Sequence, residues 1–94
     1  MLAIGMALVA RPSLLLLDEP LLGLSPMMQD LVVGAIKSLK TESGITVLMS
    51  EQFARPVLPM IDFGYIMENG ILTLTGTGQE LMDNPEVKAA YFGV

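Results

Sequence analysis

Four consecutive leucines, Leu14 to Leu17, run straight into Asp18, Glu19 and Pro20 and set the first strong pattern along the chain. An apolar run without alternation reads as a strand buried on both faces, the arrangement of a central parallel strand under helices. Pro20, which has no backbone donor, ends the ladder. Ser25 then suits an N-cap and Pro26 a first helical position. Met28, Leu31, Val32, Ala35, Ile36 and Leu39 recur at helical spacing as one core-facing stripe, and Gly44 supplies a stop. Ile45 to Met49 is apolar and β-rich, so the pattern predicts a strand, a crossover helix and a neighbouring parallel strand.

The second half changes period. Phe63 to Glu68 and Ile71 to Thr75 are β-rich runs separated by Asn69-Gly70, which tolerates positive φ at both positions and predicts a type I′ hairpin. Thr77-Gly78-Gln79-Glu80 has capping-box spacing, and Asn84-Pro85 opens a last short helix through Tyr91. Between the halves, Pro56 and Pro59 each cost about 3 kcal/mol in a helix interior, which predicts at most a turn before Pro56 and an irregular link after it. At the start, Met1 to Ala10 reads as a buried helix with Arg11 in its last turn and Pro12 enforcing its end. It lacks the basic start of a signal peptide, and no stretch approaches the ~20 apolar residues of a membrane span.

The acids after the leucine run are the first candidate chemistry. Ligands bind beyond the carboxyl ends of strands in open parallel sheets, so a carboxylate pair there is placed for a metal and a reacting group. A buried strand leaving the core through a polar turn would look the same. Adjacent strand residues point to opposite sides, so Asp18 and Glu19 are expected to have different tasks.

Composition narrows the classes. At 94 residues the chain is one small domain at most, and 52% of it is apolar before nine glycines are counted. That is more than a domain of this size needs, and it predicts exposed apolar surface and self-association. Five basic residues against ten acidic ones give a net charge of −5 with no positive cluster, which argues against nucleic-acid binding. No cysteine and no histidine is present, which excludes disulfides, thiolate metal sites and the usual general base.

The series Leu14-to-Pro20, Leu21-Leu22-Gly23-Leu24-Ser25-Pro26 and Thr46-Val47-Leu48-Met49-Ser50-Glu51-Gln52, followed by the hairpin, resembles the Walker B strand, D-loop, switch strand and terminal hairpin of ABC-transporter ATP-binding subunits. The nearest resemblance is to the branched-chain amino-acid importers. It covers essentially all 94 residues and implies an α/β, partial P-loop nucleotidase (ABC ATPase) fold, with parallel strands, flanking helices and a C-terminal β-hairpin. Residues 1–94 would be the C-terminal portion of the ATP-binding domain, beginning just after the LSGGQ signature. The resemblance further implies that Asp18 holds magnesium through water, Glu19 polarises the attacking water, Gln52 senses the γ-phosphate of ATP, and Gly23 to Ser25 face a second ATPase subunit, with Ser25 the cofactor-binding candidate. Gln52 stands where the family usually has histidine, and an amide can position but cannot carry a proton. Ser25 stands where many members have an acid, which weakens a charge contact there. For Ser50 and Gln52 a second reading stands open, with Ser50 capping a helix and Gln52 solvated in its first turn.

No G-x-x-x-x-G-K-S/T and no LSGGQ occurs in the sequence, so neither a phosphate cradle nor its lysine is encoded here. Positioning and electrostatics supply nearly all of phosphoryl-transfer catalysis, so this chain is expected to bind neither magnesium nor ATP productively and to be inactive alone. In the intact family the partners are a second ATPase subunit and membrane permease subunits, with the protein cytoplasmic and peripheral at the inner face of the plasma membrane. The alternative is a stand-alone, non-catalytic interaction or assembly module derived from such an ATPase. The family's P-loop strand lies between the switch strand and the next one. Its absence predicts that the gap is closed by direct pairing of Ile45–Met49 with Phe63–Met67, or by a strand of a second chain.

Overall fold

A computed structural model describes residues 13–92, so the opening helix expected over Met1 to Ala10 lies outside the described residues. The chain forms two compact units that divide between Gln52 and Phe53.

The first unit is a strand, helix, strand crossover. Strand β1 (Leu14–Asp18) pairs in parallel with β2 (Thr46–Ser50), register Leu14 to Thr46 through Asp18 to Ser50. Helix α1 (Pro26–Glu42) joins them, with Ser25 as N-cap and Pro26 in its first turn as the sequence predicts. Past the Ser43 C-cap, Gly44 takes φ +66°, the left-handed conformation that ends helices. Leu15, Leu21, Val32 and Ile36 are buried, the last two one helical turn apart on α1.

Two expectations fail in this unit. Of the leucine run only Leu15 is buried, while Leu14 and Leu16 are 51% and 65% exposed, so β1 is covered on one face among the described residues. Alternation sends Leu14 and Leu16 to the face opposite Leu15, and α1 can cover only one side of a two-stranded sheet. Met28 and Leu31, assigned to the core stripe, are also exposed, because so narrow a sheet reaches only the Val32–Ile36 part of the helix face.

The second unit is a hairpin closed by short helices. A turn of α-helix, α2 (Ala54–Val57), runs into a 3-10 turn (Leu58–Met60), and strands β3 (Phe63–Glu68) and β4 (Ile71–Thr77) pair antiparallel. The chain ends in α3 (Gly78–Asp83), α4 (Pro85–Val87) and a π-turn (Lys88–Phe92). Asn69 at φ +52° and Gly70 at φ +78° make the expected turn. Thr77 and Glu80 form the expected capping box, and Asn84 Oδ1 accepts from the amides of Glu86 and Val87. The prolines do not halt the helix before Pro56. Both sit in first turns, where their missing donors cost nothing, and the two turns bury Val57 and Leu58. Leu58, Leu81 and Val87 form the core, with Ile66 and Leu74 of the hairpin packed against it. Gly78 marks its tightest point, since a Cβ there would lie 2.6 Å from the Ile61 carbonyl oxygen and 2.7 Å from that of Leu58.

Among the described residues direct pairing of Ile45–Met49 with Phe63–Met67, one of the two expected closures, is not formed. β2 pairs with β1 and β3 with β4, in two separate two-stranded sheets. The Asn69-Gly70 turn closes the β3–β4 hairpin at little entropic cost, which favours that local pairing. No helix of the described residues is long and apolar enough to cross a membrane.

Candidate functional site

All four residues singled out from the sequence belong to the first unit, at or just beyond the carboxyl ends of its parallel strands. Asp18 is the last residue of β1, in register with Ser50, the last residue of β2. The Ser50 hydroxyl donates to Asp18 Oδ1, which leaves the second carboxylate oxygen of this exposed side chain open to solvent or a cation. Ser50 is therefore a strand-end residue and no helix cap. The following helix starts at Ala54 with Phe53 at its N-cap and no side-chain bond, so the capping alternative is overturned.

Glu19 lies outside the strand. Its amide donates to the Ser50 carbonyl at 2.9 Å and to Ser50 Oγ at 3.3 Å, and its φ of +47° is left-handed. Alternation along a strand therefore does not separate the two acids, as the sequence had suggested; a backbone reversal does. The Glu19 carboxylate accepts no hydrogen bond from the described residues, and the residue is half-buried.

From Glu19 to Leu24 the chain folds into consecutive turns. The Leu22 amide donates to the Glu19 carbonyl at 3.1 Å, and the Leu24 amide to the Leu21 carbonyl at 3.2 Å, across Gly23 at φ +76°. Ser25 Oγ accepts from the Met28 amide at 3.3 Å, a capping bond that leaves its own hydroxyl proton free to donate. Gln52 is exposed, and its amide donates to Oε1 of the preceding Glu51 at 2.9 Å. Oε2 of the same carboxylate accepts from the amide of Leu21 at 3.0 Å, which draws the turn after β1 onto the end of β2. Sequence reading left Ser50 and Glu51 without these roles. The available signal was register, since parallel pairing sets the last residue of one strand beside the last residue of its neighbour.

These contacts define the chemistry the site can offer. The amides of Glu19, Leu21, Leu22 and Leu24 are all engaged, and Pro20 has none. Few backbone donors remain for cradling a phosphate, and the exposed functional groups are mainly acceptors. Among the described residues no group of three or more His, Cys, Asp or Glu side chains could hold a metal ion, which rules out a cage of protein ligands there. One open carboxylate beside a hydroxyl still fits magnesium, which keeps most of its waters and takes one or two protein ligands plus substrate phosphates.

Solved structures place this arrangement of strands and helices among the α/β ATP-binding cassettes. The chain matches cbiO1 from Clostridium perfringens, part of the ABC transporter complex cbiONQ, with TM-score 0.79 and 31% identity over 93% of this chain and 35% of that one. It matches an ABC-transporter ATP-binding cassette in its ADP conformation with TM-score 0.77 and 32% identity, over 97% of this chain and 37% of that one. No family model matches. The chain belongs to the ATP-binding proteins of ABC transporters.

Within that family it is 46% identical to the high-affinity branched-chain amino acid transport ATP-binding protein BraG of Pseudomonas aeruginosa, over 99% of this chain and 40% of that protein. It is 31% identical to the probable branched-chain amino acid transport ATP-binding protein LivF of Archaeoglobus fulgidus, over all of this chain and 40% of that protein. The chain thus spans about two fifths of the length of these relatives.

Proposed function

We propose that this chain is the C-terminal portion of the ATP-hydrolysing subunit of a branched-chain amino-acid importer, and that it carries the water-activating side of the ATP site without the phosphate-cradling side. Asp18 at the end of β1, in register with Ser50, with Glu19 next in the chain and Gln52 two residues beyond Ser50, carries the reading. In this role Asp18, with the Ser50 hydroxyl on one oxygen, holds the hydrated cation through its other oxygen. When bound, magnesium supplies charge neutralisation at the phosphate oxygens. Glu19, whose carboxylate accepts no hydrogen bond from the described residues, orients and polarises the attacking water. Gln52 donates from its side-chain amide to the terminal phosphate, and Ser25, with a free hydroxyl proton, faces a second subunit. ATP, magnesium, the permease subunits and a position at the inner face of the plasma membrane belong to the assembled transporter. The exposed leucines make self-association the expected behaviour of this chain alone.

The coding sequence upstream tests the reading. In frame it should encode a P-loop and an LSGGQ segment, and the longer product should hydrolyse magnesium-ATP. Glu19→Gln in that product should lower kcat at least a hundredfold while nucleotide binding persists. Micromolar binding of magnesium-ATP by the 94-residue chain in calorimetry would overturn the claim that its site is incomplete.

A further inference from the structure

We infer that Glu51 is a positioning residue that couples the turn Glu19–Leu24 to Gln52. Its two carboxylate oxygens accept from two amides 31 residues apart in the chain, Leu21 at 3.0 Å and Gln52 at 2.9 Å. Leu21 is fully buried, and its amide follows Pro20 inside a turn whose other bonds run from Leu22 to Glu19 and from Leu24 to Leu21. Hydrogen bonds to an ionised acceptor are about twice as strong as neutral ones, and a buried amide deprived of its acceptor is costly. One carboxylate therefore fixes both segments, and a displacement of the turn pulls on the backbone of Gln52. On the reading that Gly23 to Ser25 face a second subunit and Gln52 faces the terminal phosphate, Glu51 transmits the seating of that subunit to the phosphate-facing residue. Glutamine at this position can accept with one oxygen only, so the coupling needs the carboxylate.

Amide exchange in the 94-residue chain, followed by NMR without nucleotide, tests the coupling. Exchange at Leu21 and Gln52 should accelerate at least about tenfold in Glu51→Ala, and at one of the two in Glu51→Gln, while the β1–β2 amides of the same unit keep their protection as a folding control. Gly23→Ala strains the turn without a clash, since beyond its chain neighbours no atom of the described residues lies within 4 Å of the added Cβ while φ stays at +76°. It should shift the Gln52 amide signal in the parent chain and leave it unmoved in the Glu51→Gln background. Unchanged Leu21 exchange in both Glu51 variants, or an equal Gln52 response to Gly23→Ala with and without the carboxylate, would overturn the inference. Neither result bears on ATP hydrolysis by the longer product, so failure of the coupling and failure of the functional reading are told apart.

Discussion

Glu19 is held by its backbone in a conformation that L-residues adopt at a cost of about 1–2 kcal/mol, outside Gly, Asn and Asp. Two bonds from its amide to Ser50 fix it there, so the strain is imposed by the neighbouring strand end. Such strain gathers where a side chain must be aimed. Glu19→Gly should therefore raise the stability of the first unit by about 1 kcal/mol, part of the relief being offset by the entropy of glycine, while Glu19→Gln should leave it within about 0.5 kcal/mol. Urea unfolding followed through the β1 and β2 amides would measure both. A destabilising Glu19→Gly would mean that the carboxylate holds the turn and the backbone does not strain it.

Among the elements, the hairpin unit carries its own pH dependence. The Thr77 amide and hydroxyl, bonded to Glu80, hold its carboxyl below its ordinary 4.5. A lowered folded pKa means that the capping bond contributes fully above the ordinary glutamate range and is lost as pH falls through the lowered value. Fraying of α3 on acidification should follow that window, and Glu80→Gln, which keeps the box geometry, should remove the dependence. Circular dichroism across an acid titration reads both.

The capping box, the Asn69-Gly70 turn and the Ser25-Pro26 helix start were all legible in the sequence, because each is settled by residues within a few positions of one another. So was the parallel pairing of the leucine run with Thr46–Met49, through the crossover length and the apolar pattern. What escaped depends on distant neighbours. The exposure of Leu16 and Leu31 reflects how little of the chain covers them, and the left-handed Glu19 and two-sided Glu51 follow from where the end of β2 lies.

At the scale of the whole molecule, apolar side chains stand exposed on both units. Leu16 and Leu48, in register on β1 and β2, are 65% and 60% exposed, and parallel sheets are ordinarily covered on both faces. Replacing both by lysine should shift the chain toward monomer in light scattering. Each replacement should change unfolding free energy by no more than about 0.5 kcal/mol, as for other exposed positions. Undiminished association would place the contact elsewhere, on the hairpin face bearing Phe63, Tyr65 and Met67, which are also exposed.

The bond from Ser50 to Asp18 spans 32 residues of chain, so the acids leave the ribosome well before the strand that fixes them. At about 5–20 residues per second, Asp18 and Glu19 wait roughly two to six seconds for Ser50 to be made, beside a stretch of bare leucines. A nascent chain stalled before Ser50 should therefore bind chaperones more strongly than one stalled well past it, whose β1 is paired although Leu14 and Leu16 stay exposed.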